Sequence, residues 1–159
     1  MSAKHPIISV TGSSGAGTTS VRKTFETIFR REEIKAAFIE GDAFHRYDRE
    51  EMQAEVDKAT ANGNSTFSHF GSEANLLKEL ETAFRTYGDY GTAQTRHYVH
   101  DPSEAKEYGA PVGKFTEWKD LPFGSDLLFY EGLHGGAITD EVNIARFVEL
   151  MIGVVPVIN

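Results

Sequence analysis

The sequence is 159 residues long, enough for one domain with a buried core, and 40% of it is hydrophobic, a globular rather than a disordered composition. A formal net charge of −8 argues against nucleic acid or an anionic membrane as the main partner, since both need a basic face. The chain has no cysteine, which excludes disulfides, cysteine-ligated zinc and thiol catalysis.

In chain order, IISVTG (Ile7–Gly12) is an apolar run that ends in glycine, as expected of a buried strand entering a turn. After it comes GSSGAGTTS, which follows the phosphate-loop pattern G-x-x-x-x-G-K-[ST] except that Thr18 stands at the lysine position. Val21, Phe25, Ile28 and Phe29 then recur at helical spacing. AAFIEGD (Ala36–Asp42) is expected to be a second buried strand. Asp48 and Glu51 form a capping box for a helix running to about Thr60. Ser72 is expected to cap a further helix with Leu76, Leu80 and Phe84 on one stripe and Gly88 at its end. DLLFYEG (Asp126–Gly132) is a third buried strand, a helix is expected from about Asp140 to Val148, and LMIGVVPVIN holds a fourth strand, irregular or at an edge near Pro156.

Strands alternating with helices predict a parallel α/β sheet. The region from Tyr87 to Gly124 breaks that rhythm. In TRHYVH the alternation places Arg96, Tyr98 and His100 on one strand face, with GKFTEWKDL as a hairpin partner. This region is read as an antiparallel insertion near the carboxyl ends of the parallel strands, where α/β folds bind ligands. The N-terminal MSAKHPIISV lacks a signal-peptide layout, and no stretch reaches the roughly 20 apolar residues of a membrane span. A cytoplasmic protein is expected.

The loop follows a buried strand and opens an amphipathic helix, the context a phosphate site requires. Backbone N–H groups across Gly12, Ser13, Ser14, Gly15, Ala16, Gly17, Thr18 and Thr19, with the helix N-terminus, would cradle an anion without a lysine. The Thr19 hydroxyl suits Mg²⁺. Asp42 and Glu131 are strand-end acids beside this loop; one would hold metal and the other accept a proton from a hydroxyl nucleophile. His45, Arg46, Arg49, Arg96 and His100 would concentrate positive charge for an anionic substrate. The alternative for Arg46 and Arg49 is solvated charge at a helix start, and His97 is expected at the surface.

The segments ISVTGSSGAGTTSV, IEGDAFHR, TFSHF, YVHD, LLFYEGLHG and IGVVPVIN together resemble phosphoribulokinases of the bacterial type, from about residue 5 to residue 159. EGDAFHR combined with FYEGLHG carries most of the specificity, and that branch also has threonine at the loop lysine position. The resemblance implies a P-loop NTPase-type, mostly parallel sheet flanked by helices, residues 1–159 forming a P-loop kinase domain with an insertion at about 87–124. It implies ATP- and Mg²⁺-dependent phosphorylation of the 1-hydroxyl of D-ribulose 5-phosphate, in carbon dioxide fixation. Asp42 would be the general base, and Glu131 and Thr19 would hold Mg²⁺. His45, Arg49, Tyr98 and His100 would lie on the substrate side, with His134 next to the metal acid. The family further implies a homo-oligomer activated by NADH and inhibited by AMP, with Arg31 as a candidate effector residue. Family members continue past the point where this chain ends, so a C-terminal truncation relative to the family is expected. A uridine-kinase-like sugar or nucleoside kinase shares the loop and a strand-end aspartate, but YVHD and FYEGLHG argue against it. A truncated, non-catalytic nucleotide-binding domain is the other alternative.

Overall fold

The structure, a computed structural model, describes residues 4–13 and 15–157. Ser14 of the expected phosphate loop, and Ile158 and Asn159 at the end of the expected fourth strand, lie outside the described residues.

Four strands, β1 (Ile7–Gly12), β2 (Ala36–Glu40), β5 (Leu127–Gly132) and β6 (Leu150–Val154), form a parallel sheet in the order β2-β5-β1-β6. Two short strands, β3 (Gln94–Thr95) and β4 (Lys119–Asp120), pair antiparallel in a separate sheet. The helices are α1 (Thr18–Arg31), α2 (Arg49–Ala61), α3 (Leu77–Tyr90) and α4 (Pro102–Tyr108).

Strands β1, β2 and β5 are covered on both faces and read as nearly continuous apolar runs, whereas the edge strand β6 is largely exposed. Alternation still sorts the side chains. Leu128 and Tyr130 of β5 join Ile7, Ile39, Leu80, Phe84 and Tyr87 on the α3 side. Leu127 and Phe129 join Val10 and Phe29 on the α1 side, with Val21 and Phe25 packed against them. Phe129 is fully buried, its ring 5.2 Å from Phe25, 5.7 Å from Phe29 and 5.8 Å from Phe38 between centroids. A side chain of that size is worth about 2–3 kcal/mol relative to exposure. The same parity carries past the core: Glu40 and Glu131, in register at the carboxyl ends of β2 and β5, fall on the α1 side.

Several expected boundaries shift. β2 stops at Glu40, and residues Gly41–Phe44 turn as a 3₁₀ helix that lifts Asp42 off the sheet. Gly41 and Gly132 must both be glycine, because a Cβ on either would lie 2.6 Å from the buried Tyr130 hydroxyl. Ser72 opens a separate 3₁₀ turn (Ser72–Ala74); α3 starts only at Leu77, contains Gly88, and ends at Gly91 in the left-handed conformation. The helix expected over Asp140–Val148 is only a 3₁₀ helix, Ile144–Phe147. The Thr139 hydroxyl accepts from the Glu141 and Val142 amides and holds a turn there, and Asn143 caps the short helix through the Arg146 amide. The strand expected across TRHYVH reduces to Gln94–Thr95 and an isolated bridge between Tyr98 and Phe115. Helix α4 within the insertion goes unpredicted, although Asp101 caps it and Pro102 begins it. β6 lies at a sheet edge and ends before Pro156, as the proline requires. Among the described residues no helix is long and apolar enough to cross a membrane.

Candidate active site

The carboxyl ends of the parallel strands open into a cleft of about 980 Å³. One wall is the glycine loop and α1. Gly17 is the N-cap of α1 with φ 100°, a left-handed conformation that favours glycine, and the helix has neither a side-chain cap nor an acid in its first turn. An uncapped helix N-terminus of 14 residues presents backbone N–H donors and the positive end of the dipole to whatever lies over it. Thr19 donates its hydroxyl to Glu131 Oε1 at 3.2 Å. Arg22, one turn further on, donates to Glu40 at 2.8 Å and to Glu26 at 3.1 Å, and lies 3.7 Å from Glu131 Oε2. It offsets two acids that would otherwise repel from adjacent strand ends. No sequence motif contains Arg22; the available signal is its i+3 spacing from Thr19 on a helix that faces strand-end acids.

The opposite wall comes from irregular chain. Asp42 stands between two imidazoles, with His100 Nε2 at 2.7 Å from Oδ2 and His45 Nε2 at 3.2 Å from Oδ1. Each ring has an acceptor at its other nitrogen as well. Buried Asn75 commits its amide N–H groups to the carbonyls of His69 and Gly71, which leaves its Oδ1 facing His45 Nδ1 at 2.9 Å. His100 Nδ1 faces Glu104 Oε2 at 2.9 Å. A ring with acceptors at both nitrogens is best satisfied when doubly protonated. Burial works against that charge in both histidines, but Asp42, with Asn75 for His45 and Glu104 for His100, outweighs it and raises both pKa values. In return the hydrogen bond from His45, reinforced by that from His100, holds the half-buried Asp42 carboxyl down at about 2 although partial burial works the other way.

The sequence-predicted residues fall as follows. Gly12, Ser13, Gly15, Thr18, Thr19, Asp42, His45, Arg49, Tyr98, His100, Glu131 and His134 all border the cleft. The Ala16 amide closes the loop on the Ser13 carbonyl at 3.0 Å. Arg49 starts α2 and donates to the His100 carbonyl at 3.3 Å, so it touches the same segment as the imidazole. Tyr98 lies edge-on to His100 at 4.9 Å. The His134 ring faces the Phe70 carbonyl at 3.0 Å, and burial lowers its pKa. Arg31 lies at the far end of α1, exposed and paired with Glu32. Arg46 donates to the Glu73 and Asn75 carbonyls, and Arg96 to those of Ala43 and His45, so both are spent on the main chain rather than presented to an anion. His97 is half-buried and stacks on Tyr108 at 4.3 Å.

Among the described residues no group of three or more His, Asp or Glu side chains could hold a metal by itself. The pairing of one hydroxyl and one carboxylate at Thr19 and Glu131 fits Mg²⁺, which takes one or two protein oxygens and completes its shell with substrate phosphates and water.

The sequence model of the Phosphoribulokinase / Uridine kinase family matches residues 7–159. A phosphoribulokinase of Nitrobacter vulgaris is 62% identical over 156 residues, which are 98% of this chain and 54% of that protein. Phosphoribulokinase 1 of Cereibacter sphaeroides is 62% identical over 159 residues, 100% of this chain and 55% of that protein. The chain thus spans about half the length of the curated relatives it matches. The solved phosphoribulokinase from Rhodobacter spheroides superposes with a TM-score of 0.87 at 56% identity, over 97% of this chain and 52% of that one. A possible uridine kinase from Bacillus stearothermophilus shares the fold, with a TM-score of 0.64 at 12% identity.

Proposed function

The chain belongs to the phosphoribulokinase / uridine kinase family, and from that premise we propose that it is the phosphate-loop half of an ATP-dependent kinase that phosphorylates the 1-hydroxyl of D-ribulose 5-phosphate, the step that makes the carbon dioxide acceptor of the Calvin cycle. The observation that carries this reading is the Asp42 carboxylate held between two imidazoles that each face acceptors at both nitrogens, across one cleft from an uncapped helix N-terminus. A sugar phosphate is a dianion with a hydroxyl to be deprotonated, and this wall offers two cations and a base together.

The roles divide between the walls. The loop and α1 hold the ATP phosphates through backbone N–H groups, and Thr19 with Glu131 holds Mg²⁺. Held there by Thr19 and Glu131, Mg²⁺ would supply positive charge to offset the charge that develops on the transferred group. Arg22 sets its positive charge between the Glu40 and Glu131 carboxylates beside that site. On the other wall His45, His100 and Arg49 take the sugar phosphate. A carboxyl held at about 2 is a poor proton acceptor near neutral pH, since general-base efficiency follows basicity. When the substrate phosphate draws the two imidazoles to itself, Asp42 loses the hydrogen bonds that depress it and regains basicity at the moment a hydroxyl arrives. Substrate binding thereby switches on the base.

The relatives' names support this substrate over a nucleoside. Arg31, exposed and away from the cleft, is the candidate contact for NADH or AMP as effectors, in a cytoplasmic homo-oligomer. The test is ADP release from Mg-ATP in the presence of ribulose 5-phosphate or uridine. Turnover with ribulose 5-phosphate and none with uridine is expected; turnover with uridine would overturn the assignment.

A further inference from the structure

Arg96 is half-buried, makes no ion pair among the described residues, and spends its guanidinium on main-chain carbonyls. Nε donates to the Ala43 carbonyl at 2.8 Å and an Nη to the His45 carbonyl at 2.8 Å. The two acceptors flank the end of the 3₁₀ turn that carries Asp42. The planar group is walled by aromatic faces, 3.5 Å from the Phe115 centroid and 4.6 Å from that of Trp118. Trp118 in turn meets Phe44 edge-on at 5.4 Å. Burial lowers the arginine's pKa, and Glu51 is the acid whose charge opposes that. Desolvating a guanidinium without a carboxylate partner is costly unless its donors are well used.

Those donors add a main-chain tie between two pieces of chain that otherwise meet through side chains, His100 on Asp42 and Trp118 on Phe44. On its other side the turn is held by the segment around Asn75: the Arg46 amide donates to Ala74 at 2.9 Å and the Leu76 amide to the Phe44 carbonyl at 2.7 Å. On the insertion side Arg96 supplies both main-chain bonds, and it lies four residues before His100 on the same segment. The two imidazoles that flank Asp42 therefore sit at either end of this clamp. We propose that Arg96 is a positioning residue: its two-pronged hold on the Ala43 and His45 carbonyls, stacked between Phe115 and Trp118, fixes the spacing of His45 and His100 around Asp42 and so pre-forms the anion-binding wall. That the anion is a sugar phosphate rests on the function proposed above.

Lysine at position 96 keeps the charge but offers a point donor in place of the planar fork and stacks poorly. In the ligand-free chain, NMR titration of His45 reads the clamp directly. The groups that face or act on that ring are Asp42, Asn75, His69, Tyr98, His100 and His134. In Arg96→Lys the His45 midpoint should fall toward the ordinary histidine value as its contact with Asp42 loosens. The dissociation constant for ribulose 5-phosphate should rise about tenfold, the loss of one well-made hydrogen bond to a charged donor. An unchanged His45 midpoint in a folded Arg96→Lys chain would overturn the proposal. If that variant does not fold, Trp118→Leu, which removes one wall of the stack, decides by the same readout: a smaller fall in the same direction supports the clamp, and no change overturns it. Failure of the unsubstituted chain to bind ribulose 5-phosphate would count against the proposed function alone, because the His45 titration needs no ligand.

Discussion

The two walls of the cleft are built by different means. The phosphate wall stands on regular structure: β1 and β5 end beside each other in a parallel sheet, α1 starts where β1 stops, and strand parity alone puts Glu131 on the side of Thr19. The acceptor wall has almost no regular structure under it. Asp42, His45, Tyr98 and His100 sit on a 3₁₀ turn, loops and an isolated bridge, held in place by Arg96 on main-chain carbonyls, by Asn75 on His45, and by Arg49 on the His100 carbonyl. A wall made of sheet and helix positions its groups by backbone hydrogen bonds that tolerate substitution of neighbours. A wall made of side-chain clamps couples its groups to one another, so single changes there should propagate.

The sharpest break in that comparison is Asp42→Asn. It removes the proposed base, whose hydrogen-bond partners are His45 and His100 on the acceptor wall. Phosphoryl transfer should fall by about 10²–10⁴-fold, with Mg-ATP affinity nearly intact, as read by steady-state ADP release and by calorimetric nucleotide binding. Next in size is Glu131→Ala, which leaves the Thr19 hydroxyl without its acceptor. Activity or metal affinity should drop by at least about 10–100-fold, the loss seen even for groups that only orient a metal's ligands, and an unchanged Mg²⁺ titration would make Glu131 merely structural.

On the acceptor wall, Arg49→Ala and His100→Ala should each raise the KM for ribulose 5-phosphate far more than that for ATP. Arg49 holds the His100 carbonyl, so the double substitution should depart from additivity by about 0.5–3 kcal/mol. Strictly additive effects would place the two at separate sites.

How far each wall could be read from sequence follows the same division. β1 follows from its apolar run to the residue, and the α2 cap follows from Asp48 and Glu51, because these features depend on a few adjacent residues. The residues of the acceptor wall could be named from the family resemblance, but their geometry could not be derived. Arg96 satisfies an alternation pattern that would point it at substrate, yet its donors go to carbonyls 53 and 51 residues away in sequence. The same long-range ties cut the expected TRHYVH strand to Gln94–Thr95 and left Asn75, which orients His45, without any local signal. α4 is different: Asp101 followed by Pro102 is a local helix start that could have been read directly.

The smallest expected effect is on stability. Asp42 has a folded pKa of about 2, below its ordinary 3.8, so its contribution is complete above the ordinary value and is lost as pH falls toward 2. His45 and His100 are raised above 6.5, so theirs is complete below that value and is lost as pH rises through the folded ones. The difference in urea midpoint between the unsubstituted chain and Asp42→Asn should therefore be largest between pH 3.8 and 6.5 and shrink on both sides. Because Asp42 is about half exposed, solvent screening keeps that difference modest.

The most direct test of a sugar-phosphate kinase with a pre-formed acceptor wall is to follow the His45 and His100 ring resonances while ribulose 5-phosphate, and separately uridine, is added to the chain. Ribulose 5-phosphate should shift both rings saturably and together, while uridine at the same concentrations leaves them in place. Rings that ignore ribulose 5-phosphate, or that respond equally to uridine, would contradict the assignment of this wall.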